Sequence, residues 1–153
     1  MTCIHYGSNF YDPLKFKEIG YNHPMKTKPS GGLWGTWNGA EYGWQQWCID
    51  NEFKEERLSL SFLFYLAPET RILELSDIED LDMIPTLEYR EFHIGLYPTT
   101  IHIDWFELMK TYDVVKLNYS NNENLWYRVL YGWDCDSVLV MNKDVLIVET
   151  EVL

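Results

Sequence analysis

Apolar and polar positions alternate in short runs along this chain, and the period of the runs changes often. Thr2-Cys3-Ile4-His5-Tyr6 reads as a first strand that breaks at Gly7. Asp12 is placed to cap a short helix, with Pro13 in its first turn and Phe16 and Ile19 facing inward. Residues 20 to 32, with Gly20, Pro24, Pro29 and Gly31, read as a loop carrying Lys26 and Lys28. Leu33 and Trp34 belong to a second strand, Asn38-Gly39 turns the chain, and Ala40, Trp44, Trp47 and Cys48 fall at helical spacing with Tyr42 on a neighbouring face. Residues 58 to 66 alternate and then become continuously apolar, as a strand entering a buried sheet does, and Pro68 ends the run. Thr70 to Leu75 predicts a further strand, and Ser76 is placed to cap a short helical segment over Ile78 and Leu81. The stretch 85 to 100 has no clear period. Ile103, Trp105, Phe106 and Met109 suit an amphipathic helix from near Asp104 to Thr111. Strands are then predicted at Val114 to Leu117, at Leu125 to Leu130 after the polar turn Ser120-Asn121-Asn122, at Ser137 to Met141, and at Val145 to Val148. Short strands with two or three helices predict one α+β domain over residues 1–153, rather than alternating βαβ units.

The stretch from Ser30 to Cys48 stands out within this pattern. It holds four of the seven tryptophans and five of the nine glycines, so large aromatic faces alternate with bare backbone. Gly31, Gly32 and Gly35 let either a ligand or another strand approach the main chain closely. Such a unit suits a flat ligand, and equally suits a core filled by rings. His5 stands at a strand end next to Gly7, where ligands often meet a sheet.

Composition narrows the choice of partner. The 153 residues, 46% of them hydrophobic, are enough for one sizeable core. The net charge is −12; residues 1 to 50 hold four lysines against four acidic residues, leaving 8 of the 12 basic and 20 of the 24 acidic residues beyond them. No Lys/Arg cluster offsets that excess, so direct binding to DNA or RNA phosphates is not expected, and a macromolecular partner should be basic. The densest acidic run holds Glu74, Asp77, Glu79, Asp80 and Asp82, a pattern most often found on solvated faces. Cys3, Cys48 and Cys135 show no Cys-x-x-Cys spacing, which supports neither a disulfide scaffold nor a zinc site. The opening residues lack a basic start and an apolar run, and no segment approaches eighteen apolar residues, so a cytoplasmic protein without a membrane partner is expected.

Three separated segments resemble the mono- and poly-ADP-ribosyltransferase superfamily, whose members hold NAD in a cleft of a split β-sheet. His5-Tyr6-Gly7-Ser8 resembles the family's His-Gly-Ser or His-Gly-Thr strand, with Tyr6 inserted between His and Gly. Gly32-Leu33-Trp34-Gly35-Thr36 followed by Ala40-Glu41-Tyr42 is similar to the Gly-x-Tyr-Phe-Ala strand and the Ser-Ala-x-Tyr of the next helix, with Gly39 where a Ser is usual. Asp136-Ser137-Val138-Leu139-Val140 resembles the Glu-x-Ile-Val-x segment that supplies the catalytic carboxylate. The chain is also similar to small, diverged transferases of phages, some of which inhibit host defence systems.

The resemblance implies a fold and a division of roles. The fold would be an α+β split sheet with short flanking helices. His5 would contact a ribose hydroxyl and the Gly7 backbone, beside Tyr6, would hold the nicotinamide amide. Gly32 and Trp34 would form the cofactor-binding strand, and Tyr42 would stack on nicotinamide. Asp136 would be the catalytic carboxylate, with Asp134, two residues earlier on the same side of an extended chain, able to substitute. Lys26 and Lys28 are the nearest basic candidates for the pyrophosphate. A carboxylate is needed because positive charge grows on the ribose as the bond to nicotinamide breaks, so a nearby anion favours the transition state over the ground state. The implied activity is NAD-dependent ADP-ribosyl transfer to a macromolecule, expected to be a protein, or to water. The alternative is the same fold without catalysis, an acidic protein that occludes a basic nucleic-acid-binding surface.

Overall fold

A computed structural model describes residues 1–22, 26–87 and 101–148, and the stretch from 88 to 100 lies outside them. Among the described residues seven strands form one mixed sheet in an α+β fold. They are β1 (Thr2–Tyr6), β2 (Leu33–Trp37), β3 (Ser61–Leu66), β4 (Ile72–Leu75), β5 (Val114–Leu117), β6 (Ser137–Val140) and β7 (Leu146–Ile147). Their order across the sheet is β4-β5-β6-β2-β1-β3-β7, and every pairing is antiparallel except β4 with β5. The helices are α1 (Trp44–Asp50), α2 (Trp105–Thr111) and α3 (Glu123–Val129). Among the described residues no helix is long and apolar enough to cross a membrane.

Two cores lie on opposite faces of the central strands, because successive side chains of a strand point to opposite sides. Val115, Leu117, Leu139 and Met141 join one core with Trp105 and Leu108 of α2, Trp126 of α3, Leu130 and Trp133. Val114, Val138, Val140 and Leu33 join the other, together with Cys3, Phe64 and Leu66 from β1 and β3. All four residues of β6 are buried, so this strand reads as a continuous apolar run after Ser137. Strand β2 is divided between its neighbours. Leu33, Trp34 and Gly35 pair with β6, whereas Thr36 and Trp37 pair with Ile4 and Cys3 of β1.

Several elements differ from the pattern-based expectation. Leu125 to Leu130 is not a strand but falls on α3 and its C-terminal end. Trp126 and Leu130, four apart, are both fully buried, Leu125 and Val129 pack beside them, and Tyr127 is 43% exposed. One apolar helical face explains all five positions, whereas a strand would divide them between two faces. The helix expected from Ala40 begins at Trp44, because Gly43 is extended and bridges to Asp136. After Asp12 the chain makes only a 3₁₀ turn at Pro13–Lys15, and Phe16 and Ile19 reach different cores from the chain beyond it. Strand β3 begins at Ser61 rather than 58, and β7 covers two residues after a 3₁₀ turn at Lys143–Val145. The turn at Ile78–Met83 is stabilised by the Asp80 carboxylate, which accepts from the Ser76 and Asp77 amides, while the Ser76 hydroxyl accepts from Asn118. Helix α2 starts as expected, with Asp104 accepting from the Glu107 amide; its inward residues are Trp105 and Leu108, and Phe106 is exposed.

Candidate functional site

The residues singled out in the sequence gather around the two ends of β2. At the β1 side, His5 Nδ1 lies 2.7 Å from the Trp34 carbonyl oxygen, and its ring packs against Phe62. A carbonyl only accepts, so Nδ1 carries the proton and Nε2 is left as the other coordinating or accepting nitrogen. Tyr6 donates from its hydroxyl to Gln45 Oε1 of α1 at 3.0 Å. The Gly7 amide, expected to hold a carboxamide, donates instead to the Leu60 carbonyl at 2.7 Å. That N–H is committed to the chain's own backbone.

The Trp34 ring stands edge-on to Trp133, with centroids 4.8 Å apart, and Trp133 in turn lies parallel to Trp105. Lys28 Nζ sits 5.1 Å from the centroid of Trp34, a cation–π arrangement. Burial lowers the pKa of this ammonium, and the nearby charges of Asp134 and Cys135 act against that shift. Asp134 is half-buried. Its charge also reaches Tyr119, whose hydroxyl is pushed up to about 12, mainly by burial and then by Asp134 and Glu123. Burial pushes the Cys135 thiol up to about 11, away from reactivity at neutral pH. Tyr42 is half-buried against the same core as Trp34; burial and then Asp50 raise the pKa of its hydroxyl. Trp34, Lys28, Asp134, Tyr119 and Tyr42 therefore share one partly screened neighbourhood.

Asp136 is different. It has 0% exposure, and both carboxylate oxygens are engaged. Oδ2 accepts from the Tyr42 amide and Oδ1 from the Ser120 amide, each at 3.0 Å, and the Ser120 hydroxyl lies 3.0 Å from both oxygens. Its own amide donates to the Tyr42 carbonyl at 2.8 Å, and its carbonyl accepts from the Thr36 hydroxyl. Thr36 Oγ1 in turn accepts from the Trp44 amide at the start of α1. Asp136 thus joins the end of β2, the segment before α1, the turn at Tyr119–Asn121 and the start of β6. In this conformation both oxygens of the carboxylate expected to meet a ribose are taken up by donors of the fold itself.

Gly32 also has a structural explanation. Its φ is +71°, and a Cβ there would lie 2.5 Å from Leu139 Cδ1 and 2.9 Å from the Val140 carbonyl. The bare backbone admits the neighbouring strand. Thr36, Ser120 and Trp133 were not among the expected residues. Trp133 is fully buried, and its indole N–H has no hydrogen-bond partner among the described residues. Only its position beside Asp134 could have marked it in the sequence, and Ser120 lies 16 residues from Asp136 with no motif between them. A separate cavity of about 280 Å³ lies between the turn at Ile78–Met83 and α2, lined by residues including Asp82, Met83, Ile84, Glu107 and Tyr112; none of the expected site residues borders it. In comparisons with protein-family models, with curated proteins and with solved structures, the chain matches none.

Proposed function

We propose that the chain is an NAD-dependent ADP-ribosyltransferase acting on a macromolecular acceptor, a protein with a basic surface, and that Asp134 rather than Asp136 is the carboxylate that meets the ribose. One observation carries the reading: the three resembling segments, far apart in sequence, meet around β2, with His5 bonded to the Trp34 carbonyl and Asp136 bonded to Tyr42 on both sides of its peptide. Two half-buried rings, one ammonium and one half-buried carboxylate fit the parts of NAD. Trp34 and Tyr42 would hold the nicotinamide, each good ring stack contributing about 1 kcal/mol beyond burial. Lys28 would face the pyrophosphate, and His5 Nε2 a ribose hydroxyl. The Gly7 amide and the Asp136 carboxylate do not fit such a role, since both are occupied within the fold.

In the reaction the bond between nicotinamide and ribose breaks with its electron pair leaving on nicotinamide, and the acceptor's nucleophile forms the new bond to the ribose. A carboxylate at Asp134 would stabilise the charge developing on the ribose, in surroundings where partial burial strengthens the interaction. Asp136 would act as a positioning residue by fixing the Tyr42 backbone. Release of nicotinamide from NAD tests the assignment. Asp134→Asn should lower that release by about 100-fold or more at unchanged melting temperature, while Asp136→Asn should lower melting temperature and release together. No nicotinamide release by the unmodified chain, with any basic acceptor or with water, would reject the transferase reading.

A second reading is favoured by the enclosure of Asp136 together with the net charge of −12. The chain would then bind a basic nucleic-acid-binding protein and occlude its surface without catalysis. Inhibition that survives Asp134→Asn and falls steeply with salt would select this reading.

A further inference from the structure

We infer that the aromatic cluster of the half-buried Trp44 and Trp47 on α1 and the exposed Phe53 in the loop after it is the docking surface for an arginine-bearing segment of the protein partner. The inference deepens the proposed function and rests on its premise of a basic macromolecular acceptor. Within α1 only Cys48 is buried. Trp44 and Trp47 stack on each other with centroids 5.0 Å apart at 16°, and Phe53 meets them edge-on at 5.9 and 5.5 Å. Among the described residues, none of these three rings belongs to either core or to the side chains packed against one. Phe53 is 37% exposed and the neighbouring Ile49 46%. The rings form a cluster of their own that is half-buried at Trp44 and Trp47 and open at Phe53.

The loop that raises Phe53 is built with strain. Glu52 and Lys54, on either side of it, are the only non-glycine residues with positive φ among the described residues, at +50° and +48°. The Phe53 amide donates to the Cys48 carbonyl at 2.8 Å, and the Asn51 side chain donates to the Trp47 carbonyl at 2.8 Å, so the loop folds back onto α1. The product is an aromatic platform outside both cores among the described residues. Interface centres are enriched in such rings, with charged groups at their rim.

Charge identifies the occupant. Between Gln45 and Arg57 the exposed residues Asp50, Glu52, Glu55 and Glu56 stand against Lys54 and Arg57, so the rim is acidic and repels phosphate backbones. Lys54 Nζ already lies 4.9 Å from the Phe53 centroid, which shows that this face accepts a cation. A guanidinium can stack on an aromatic face while pairing with rim carboxylates, and an ammonium does so less well. The surface also adjoins the candidate site. The Trp44 amide bonds to Thr36, whose hydroxyl reaches Asp136, and Gln45 bonds to Tyr6.

The test uses the full chain and an 18-residue peptide with arginine and leucine at helical spacing, its glutamate-for-arginine counterpart serving as control. Indole N–H shifts and tryptophan fluorescence report binding. Saturable binding of the arginine peptide is expected, with the largest shifts at Trp44 and Trp47. Phe53→Ser should weaken it about tenfold or more, and Glu52→Gln combined with Glu55→Gln should weaken it several-fold, roughly, and flatten its salt dependence. Equal binding of the glutamate peptide, equal binding by Phe53→Ser, shifts centred on Trp34 and Trp133, or no saturation by about 1 mM would each overturn the assignment. Nicotinamide release, measured on the same proteins, separates the two ideas. Phe53→Ser should leave the reaction with water unchanged, so peptide binding without any nicotinamide release would reject the transferase alone, and the reverse result would reject the docking surface alone.

Discussion

Asp136 shows how a residue's place in the fold can follow from pattern while its partners do not. Its place just before a buried strand is legible in the sequence, but the partners that enclose it come from Tyr42 and Ser120, and no local signal announces them. A buried carboxylate that accepts from two amides and a hydroxyl is stabilised by charge-assisted hydrogen bonds, and its removal leaves those donors unsatisfied. Asp136→Ala should therefore destabilise the fold by about 2–4 kcal/mol, measured by urea unfolding. Gly32 makes a second case. With positive φ and neighbouring atoms closer than any side chain tolerates, Gly32→Ala should lower stability by about 1–3 kcal/mol. A change within a few tenths would mean that β2 and β6 are not packed as described.

Among the elements, α3 tests the boundary between helical and extended patterning most directly. Leu130→Ala should be costly, about 2–5 kcal/mol, because the side chain is fully buried; Tyr127→Ala on the outer face should change stability by no more than about 1 kcal/mol. A strand would place Tyr127 between Leu125 and Val129 on one face, and the contrast would shrink. At the start of β5, Asp113 is buried and binds Arg71 in a fork, with Nε to Oδ2 at 2.9 Å and Nη2 to Oδ1 at 2.8 Å. Arg71 first, and then the Asn142 amide and the Arg71 backbone amide, hold the Asp113 carboxyl well below the usual carboxylate range, against the opposing effect of burial. A depressed folded pKa contributes stability that is fully present above the unfolded value near 4 and is lost as pH falls toward the folded one. Asp113→Asn should cost about 2 kcal/mol at pH 7, since Arg71 is half-exposed, and should flatten the loss of stability below pH 4. An unchanged acid slope in urea titrations would contradict this account.

Across the whole molecule, the two cores on either face of the central strands set which parts open first. Amides of β5 and β6 should exchange slowest with solvent deuterium, because both faces are covered and both edges paired, and those of β7, two residues at the sheet edge, should exchange among the fastest of the strands. Slower exchange in β7 than in β6 would refute the two-core arrangement. The excess of acidic residues after position 50 was visible from composition alone. The aromatic cluster beside it was not, since the helical spacing of Trp44, Trp47 and Cys48 suits a buried face equally well, and only the tertiary structure buries Cys48 while leaving the two rings half-buried.

By itself the sequence determined the α+β class, most strands, the Asp104 cap of α2, the absence of any apolar run long enough to be a spanning helix, and the acidic balance, because these follow from local periodicity and from counting. Tertiary structure alone decided that β2 is shared between β1 and β6, that Asp136 is enclosed while Asp134 stays half-open, that Lys28 lies over Trp34, and that Leu125 to Val129 coils. Those outcomes depend on contacts between residues tens of positions apart. A six-residue, mostly apolar run is compatible with either period until the surface it must cover is in place, and a carboxylate's freedom is set by donors that its own neighbours in sequence do not supply.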